Sequence, residues 1–310
     1  MGKVVLAGAG VMGASLAQVY AKAGYSVLLW GRQEESLEKG RALVRLNQAT
    51  LVKEDMLTED ESVQLMGRIH YTCDAECFSE PDIDLVLESI VEDLNVKRAF
   101  WAKVSAVVSQ DVLLASNTSG LRICDLAESV TEKSRFMGQH WLNPPHLLPL
   151  CELIVGKDTS PKTVERMKKL VLGLNKKPVV VKDINGFLIN RLQFAILREA
   201  LYIVESGAAS MEDLDNVMKY GLGLRYAALG PFLTADLGGL DTFKHISDYL
   251  FRDLCDQKEG SQTLHRLVKE GRLGVKSGAG FYDYSNGKDK ETIRQRDELF
   301  IKLAKCLYQD

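Results

Sequence analysis

Two residues of this chain, His140 and Glu152, have the types and the spacing needed to move a proton. An imidazole has an ordinary pKa near neutrality, so a histidine can serve as the base that removes the hydroxyl proton of a secondary alcohol. His140 ends one predicted strand, and Glu152 lies on the next. The chain can therefore turn and bring the carboxylate to the second ring nitrogen, where it would fix the tautomer. A histidine considered alone would be assigned to the core.

A glycine-rich segment near the N-terminus indicates a dinucleotide site. Residues 8–13 read Gly-Ala-Gly-Val-Met-Gly, a GxGxxG sequence that follows a predicted strand and opens a predicted helix. In that context the glycines allow a tight turn and a close approach of the backbone to a pyrophosphate, which the free N–H groups of the helix N-terminus attract. The predicted cofactor-binding residues of this segment are Gly8, Gly10, Val11, Met12 and Gly13.

The end of the second predicted strand bears on the choice between NAD and NADP. An NAD site normally places an Asp or Glu there to bind the ribose 2′-OH, but this chain has Gly31 followed by Arg32. A glycine leaves room for a 2′-phosphate, and a guanidinium supplies charge-assisted hydrogen bonds to it. The sequence therefore favours NADP. The alternative is a solvated Arg32, with Glu34 or Glu35 binding the ribose of NAD.

Alternating elements must position these residues. Apolar runs at 3–7, 26–30, 85–87, 112–115 and 136–138 predict strands, and helical patterns separate most of them, which is typical of a doubly wound, Rossmann-type α/β domain. Residues 34–67 predict an inserted helical hairpin. Further strands are expected at 150–155 and 179–181, around a helix near 161–174. The predicted helices beyond residue 185 are 187–205, 210–219, 241–254, 261–270 and 289–307, so the expected domains are 1–185 and an all-helical 186–310.

Composition narrows the function classes. The 39 basic and 42 acidic residues leave a net charge of −3, which gives no electrostatic reason to expect nucleic acid as a partner. Six cysteines without CxxC spacing do not indicate a zinc site or a disulfide framework, and no HExxH motif occurs, so no metal is expected. No apolar run is long enough for a membrane span, and no secretory signal is present. A cytoplasmic protein is predicted.

Seven short motifs follow one another in chain order. They are LESIVED at 87–93 with Lys97, SNTS at 116–119, HWLNP at 140–144, GFLINR at 186–191, GPF at 230–232, GLD at 239–241 and GAGFY at 278–282. Together they resemble the L-3-hydroxyacyl-CoA dehydrogenase family over nearly the whole chain. The resemblance implies that Ser119, His140, Glu152 and Asn190 form the active site, with Ser119 and Asn190 contacting substrate. It also implies that Glu92, Lys97, Asn117 and Asn143 contact the cofactor.

The sequence departs from the acyl-CoA enzymes of this family at three places. Eight acidic and four basic residues lie between 34 and 62, in the hairpin that contacts the CoA phosphates in the family, and this is a poor field for a polyanion. Asn-Pro-Pro at 143–145 and Gly-Leu-Gly-Leu-Arg-Tyr at 221–226 resemble the branch that oxidises free hydroxy acids. Arg225 could pair there with a substrate carboxylate, although exposed arginines are common.

The sequence therefore leaves three functions open. The first is an L-3-hydroxyacyl-CoA dehydrogenase using NAD or NADP, and the second is a dehydrogenase of a free 3-hydroxy acid or another small carboxylate-bearing alcohol. The third, a dinucleotide-binding protein without turnover, is disfavoured because all four active-site positions are filled. The helix predicted at 187–205 is apolar around much of its circumference, which together with the resemblance predicts a homodimer. The alternative is burial of this helix within the monomer.

Overall fold

Eight strands form a single sheet in the first of the two units of this chain. The computed structural model describes residues 2–308. The strand order is β3-β2-β1-β4-β5-β6-β7-β8, and every neighbouring pair is parallel except β6 with β7. The strands are β1 (Lys3–Ala7), β2 (Ser26–Trp30), β3 (Ile69–Thr72), β4 (Ile83–Glu88), β5 (Leu113–Ser116), β6 (Phe136–Trp141), β7 (Leu150–Val155) and β8 (Lys177–Lys182).

Helices cover both faces of this sheet, as its apolar strands require. In β1, Val4 and Leu6 pack in one core cluster with residues of the first helix, whereas Val5 packs in a second cluster that contains Trp101. Because successive side chains of a strand point to opposite faces, a strand that is apolar throughout must be covered twice. The helices before residue 185 are α1 (Val11–Lys22), α2 (Glu34–Lys53), α3 (Glu59–Gly67), α4 (Leu94–Val107), α5 (Ile123–Ala127) and α6 (Pro161–Gly173).

The second unit comprises residues 191–291 and is built from helices. A long helix, α7 (Ile189–Glu205), enters it. The other helices that follow are α8 (Met211–Val217), α9 (Gly223–Ala228), α10 (Gly230–Gly238), α11 (Leu240–Leu250), α12 (Gln262–Lys269) and α13 (Lys288–Tyr308). Among residues 2–308, no helix combines the length and the apolar character that a membrane span requires.

The predicted fold class, a Rossmann-type α/β sheet followed by helices, is confirmed. The division of the chain differs from the expected boundary at 185. The first unit runs to residue 190 and takes in the chain again from residue 292, so most of α13 packs with the first unit. Ile301 of α13 is buried in a small cluster with Leu51 of α2 and Leu147, which explains the return: the apolar face of α13 covers the end of α2.

Candidate active site

The glycine segment lies where β1 meets α1, as the sequence predicts. Gly8 has a φ of +112°, and a Cβ there would lie 2.4 Å from the carbonyl oxygen of Ser89, so only glycine fits. A Cβ on Gly13 would lie 1.7 Å from the oxygen of Gly8. Gly10, the N-cap of α1, has no atom within 4 Å of the Cβ position. The two crowded glycines bring α1 against the strand, and the open one leaves the free N–H groups accessible to a phosphate.

Two neighbouring cavities lie next to this turn. One, of about 540 Å³, is lined by Gly10, Val11 and Met12 at one end and by Asn117, His140 and Asn143 at the other. The second, of about 690 Å³, contains Trp30 and Arg32. Both are lined by Ile90 and Val91, so they meet at those two residues. The residues present fit a nicotinamide dinucleotide, and Gly10 and the first N–H groups of α1 would hold its pyrophosphate.

Arg32 lines the cavity that also contains Trp30, and position 31 next to it has no carboxylate. A Cβ on Gly31 would come within 2.9 Å of both the Leu37 side chain and the Ser36 hydroxyl, so a larger residue requires both side chains to move. The same cavity also contains Asp74 and Glu76, whose negative charges oppose a second phosphate. Position 31 thus has no negative side chain beside Arg32, whereas two acidic residues add negative charge to the same cavity.

The dyad predicted from the spacing of His140 and Glu152 is present. The two residues are direct partners in the antiparallel pair of β6 and β7, and His140 Nδ1 lies 2.7 Å from Glu152 Oε2. His140 is inside β6, which continues to Trp141, rather than at the end of a strand that stops at residue 138. Both side chains are buried. A carboxylate on Nδ1 orients the ring and leaves Nε2 for the substrate.

The N-terminus of α7 holds the other oxygen of Glu152. The backbone N–H groups of Leu188 and Ile189 donate to Oε1 at 2.9 and 3.0 Å. Burial alone would raise the pKa of Glu152, but the hydrogen bonds from His140 and from these two N–H groups outweigh burial, so the pKa lies below its ordinary value. Glu152 is therefore a carboxylate at neutral pH, and it can stabilise a protonated His140.

An unusual turn places these two N–H groups. Gly186 and Phe187 have φ values of +74° and +51°, a left-handed pair in which Phe187 is an exception among bulky residues. The Phe187 ring is buried, and its centroid lies 5.5 Å from that of the His140 ring. The burial of the ring against the histidine accounts for the strained backbone at this position. Sequence reasoning missed Phe187, whose signal was its place within the GFLINR motif.

Glu92 organises the loop after β5. Its carboxylate accepts hydrogen bonds from the Thr118 hydroxyl and from the backbone N–H of Ser119 at 2.9 Å. Burial alone would raise the pKa of Glu92. The Thr118 hydrogen bond and the charge of Lys97 lower this pKa by more than burial raises it, so the net shift is downward. The Ser119 backbone oxygen in turn accepts a hydrogen bond from Asn190 Nδ2 at 2.6 Å. Glu92, Ser119 and Asn190 are thus linked as one group.

Lys97 lies beneath the cavity. It is wholly buried and pairs with Glu88 and Glu92, so it acts on the site by positioning Glu92 rather than from the cavity wall. Sequence reasoning did not identify Glu88 as a partner.

Asn117 joins neighbouring strands at the cavity. Its side chain donates to the Ser89 hydroxyl and accepts from the N–H of Trp141. The segment that contains Asn143 also lines this cavity. The eleven expected cofactor residues thus lie at the cavities, at the turns that form them or, for Lys97, directly below.

Arg225 is the one candidate that belongs to the second unit. It lies in α9 with an exposed side chain, and no carboxylate among residues 2–308 pairs with its guanidinium. Its guanidinium is therefore available to a carboxylate of another molecule.

The arrangement in the first unit can do acid–base chemistry next to a dinucleotide. His140 and Ser119 line the cavity that begins at the glycine turn, and the Asn190 amide is hydrogen-bonded to the Ser119 backbone. A base with an ionised carboxylate behind it, beside neutral hydrogen-bond donors, suits the removal or return of a proton on a reacting oxygen.

Comparison with known proteins agrees with this geometry. The family model for the NAD-binding domain of 3-hydroxyacyl-CoA dehydrogenase matches residues 3–184, and the model for the C-terminal domain of 3-hydroxyacyl-CoA dehydrogenase matches residues 186–284. The chain is 37% identical to a probable 3-hydroxybutyryl-CoA dehydrogenase of Deinococcus radiodurans, over 89% of this chain and 98% of the relative. It is 36% identical to the human mitochondrial hydroxyacyl-coenzyme A dehydrogenase, over 91% and 90% of the two chains.

Another relative matches almost end to end. The chain is 30% identical to 5-formyl-3-hydroxy-2-methylpyridine 4-carboxylate 5-dehydrogenase of Mesorhizobium japonicum, over 98% of this chain and 97% of that protein. A crystal structure of an enzyme of that name, described as an NAD⁺-dependent dismutase, superposes with a TM-score of 0.92 at 30% identity, covering 99% and 98% of the two chains. For (S)-3-hydroxybutyryl-CoA dehydrogenase of Ralstonia eutropha the TM-score is 0.75 at 33% identity, with 92% and 99% covered. This chain belongs to the 3-hydroxyacyl-CoA dehydrogenase family of nicotinamide-dependent oxidoreductases that act on CH–OH groups.

Proposed function

We propose that this enzyme is an L-3-hydroxyacyl-CoA dehydrogenase in which His140 is the general base. The observation that carries the proposed chemistry is the buried His140–Glu152 dyad at one end of the cavity that starts at the glycine turn. In the oxidative direction, His140 Nε2 takes the hydroxyl proton while the C–H electron pair leaves as hydride. The nicotinamide, when bound, supplies the acceptor of that hydride. The Ser119 hydroxyl and the Asn190 amide orient the substrate oxygen without adding a charge.

The acyl-CoA substrate rests on the relatives that act on 3-hydroxyacyl-CoA compounds, which share up to 37% of their residues with this chain. It predicts turnover of acetoacetyl-CoA with a reduced cofactor. The test is a matched pair of substrates, acetoacetyl-CoA and free acetoacetate, each with NADH and with NADPH. We expect kcat/KM to favour the thioester. Equal or faster reduction of the free acid would contradict the acyl-CoA proposal.

A second candidate, a dehydrogenase of a small carboxylate-bearing alcohol, is favoured by the packing of α13. Lys53 at the end of α2 pairs with Glu298 of α13 at 3.7 Å, and Lys305 of α13 donates to the backbone oxygen of Glu54. The end of the hairpin in which the family binds CoA phosphates is thus covered, and its lysine already has a carboxylate partner. This helix lies beyond residue 284, where the family match ends. The relative that matches end to end is named for a pyridine carboxylate.

Removal of α13 distinguishes the acyl-CoA dehydrogenase from the dehydrogenase of a small carboxylate-bearing alcohol. If α13 excludes CoA, shortening the chain after residue 291 should lower KM for acetoacetyl-CoA and leave KM for small hydroxy acids unchanged. A matched control is Lys302→Ala, because Lys302 is an exposed residue of α13. An unchanged KM for acetoacetyl-CoA in a folded truncated protein would remove this argument for the second candidate.

For the cofactor, we propose use of NADP in preference to NAD. The support is the glycine at position 31 and the presence of Arg32 in the cavity next to Trp30. The relevant measurement is the ratio of kcat/KM for the two cofactors with one saturating substrate. A ratio that favours NAD would contradict the proposal.

A further inference from the structure

A third cavity, separate from the two cavities next to the glycine turn, lies beneath the helical hairpin of the first unit. It has a volume of about 260 Å³ and is enclosed by α1, α2, α3, the segment after α6 and the loop between β6 and β7. That volume is several times the roughly 30 Å³ that a water molecule occupies in the liquid. Val19, Leu51 and Leu65 supply an apolar wall opposite the polar residues of the lining.

The charged residues that line this cavity are both cations. Lys176 and Lys22 line it, and no Asp or Glu does. Lys176 Nζ donates to the backbone oxygens of Pro145 and Leu148 at 2.7 and 2.9 Å, and among residues 2–308 it has no carboxylate partner within 4 Å. A partly buried cation without a counter-ion is costly, because the carbonyl dipoles replace only part of its hydration.

The pKa values of Lys176 and His146 at this cavity are both lowered. Burial and the repulsion of Lys22 lower the pKa of Lys176 to about 8, so this amine is still mostly protonated at neutral pH. Burial, the charge of Lys176 and that of Arg296 lower the pKa of His146 to about 4, which leaves the imidazole neutral. Each shift has the sign expected for a group surrounded by cations.

Two buried polar atoms at the same cavity also have no partner. Gln48, 1% exposed, donates to Gln18 Oε1, but its own Oε1 accepts no hydrogen bond. His146 Nδ1 is likewise buried without a hydrogen bond. Buried polar atoms of folded proteins nearly always have a partner in the protein or in water, so these two atoms are available to hydrogen-bond a polar occupant.

We propose that this cavity binds a small organic monocarboxylate, with the anionic group at Lys176 and an apolar body against Leu51 and Leu65. Lys22 is exposed to solvent, so the cation that needs a counter-ion within the cavity is Lys176, which matches a single negative charge. The apolar walls favour a carbon chain over inorganic phosphate. The neutral form of His146 can donate to or accept from the occupant as its tautomer allows. The site lies outside the residues that form the dinucleotide cavities.

Met56 lines the cavity and provides a direct reporter of binding. With methionine methyl groups labelled with ¹³C, hexanoate should shift the Met56 resonance saturably, whereas hexanol and inorganic phosphate should not. The resonance is assigned by Met56→Leu. The His140→Gln variant should give the same titration, which separates this site from binding of a carboxylate at the dyad.

Three variants test the role of charge. Lys176→Gln, which can still donate to the loop carbonyls, should weaken hexanoate binding by at least about tenfold, and Lys22→Gln by about threefold. Lys169→Gln, an exposed position on α6, is the matched control and should bind as the unaltered chain does. Because Lys176 also holds the loop between the two dyad strands, activity is not the readout.

The proposal is overturned if hexanoate produces no saturable shift of Met56, or if Lys176→Gln and Lys22→Gln bind hexanoate as tightly as Lys169→Gln does. A response to phosphate alone would overturn the choice of a carboxylate. A response to hexanol of the same strength would show that the charge has no part in binding.

Discussion

At the scale of single residues, the proposed function depends on transfer of the substrate hydroxyl proton to His140 and on stabilisation of the protonated ring by Glu152. Glu152 is held by three donors, His140 and two backbone N–H groups, so its charge is retained where a solitary buried carboxylate would be protonated. The His140 ring is fixed by this carboxylate on one side and by the Phe187 ring on another. In the proposed mechanism this arrangement preorganises the base, so substitutions of either partner should affect turnover rather than cofactor binding.

His140→Gln tests the base directly. We expect turnover to fall by about 10² to 10⁴, the usual contribution of a general base, with cofactor affinity near normal because the glycine turn is untouched. Combining it with Glu152→Gln should cost less than the product of the two single effects, since both act on one proton transfer. Fluorescence titration of the reduced cofactor supplies the control, and turnover close to that of the unaltered enzyme would rule His140 out as the base.

Arg32→Ala tests the cofactor proposal. Loss of one charge-assisted contact, about 1.5 to 3 kcal/mol, should weaken NADPH binding about tenfold or more and leave NADH binding nearly unchanged. Glu76→Gln in the same cavity is the counterpart: it removes an acidic group and should favour NADPH. If Arg32→Ala weakens both cofactors equally, Arg32 does not recognise a 2′-phosphate.

At the scale of elements, the connection from β8 to α7 decides the geometry of the dyad. Gly186 and Phe187 both adopt left-handed backbone conformations before α7 begins, and the first N–H groups of that helix reach Glu152 as a result. A helix N-terminus also favours a negative charge. The strand pair β6–β7 brings His140 and Glu152 together, and α7 then fixes the carboxylate.

Gly186→Ala should destabilise the fold by about 1 to 2 kcal/mol, the cost of a left-handed conformation for a residue with a Cβ. Gly173→Ala at the end of α6 is the matched control, because nothing lies within 4 Å of its Cβ position and its backbone φ is not positive. That control should be neutral or slightly stabilising. Urea unfolding of both variants provides the measurement, and equal effects would argue against strain at residue 186.

The lowered pKa of Glu152 predicts how stability varies with pH. Because the folded state favours the ionised form, this stabilisation is complete above the ordinary carboxyl pKa of 4.5 and is lost as the pH falls through the lower, folded value. Glu152→Gln should therefore reduce the free energy of unfolding by about 1 to 3 kcal/mol near neutrality, and the difference should shrink as the pH falls below 4.5. Unfolding curves that stay parallel over that range would contradict it.

Long periodic patterns allowed most elements to be predicted from sequence, and short or polar ones did not. The helix expected near 161–174 is α6, and the glycine turn and the dyad are where their spacing placed them. The strand β3, by contrast, has four residues, only one of them buried, and forms the edge of the sheet, so it carries little apolar signal. Phe187 was missed because backbone strain is not visible in a residue pattern. The surface on which α13 packs was also not predicted, because amphipathicity does not identify the surface that a helix covers.

At the scale of the whole molecule, α7 gives reason to expect a homodimer. Leu192, Phe194 and Ile196 are 61%, 59% and 42% exposed, and Leu201 is the one residue of α7 that is fully buried in the single chain. A helix with this much exposed apolar surface is typical of an interface. Burial wholly within the monomer, the alternative raised by the sequence, does not agree with these exposures.

Sedimentation tests the dimer. At micromolar concentration we expect a species near twice the chain mass of 34.5 kDa. Phe194→Lys should shift the population toward the single chain, whereas Tyr202→Lys, further along the same helix and 45% exposed, indicates how far the interface extends. A species at the chain mass for the unaltered protein would contradict the dimer.

The return of α13 to the first unit also affects the order in which the chain can fold. Leu51 and Leu147 are buried together with Ile301, but a ribosome makes Ile301 only after the whole of the second unit. Since domains generally fold as they emerge, at about 5 to 20 residues per second, the first unit must wait with this apolar patch uncovered. During that interval the nascent chain presents an aggregation-prone surface, and a chaperone that binds it would be released when α13 arrives.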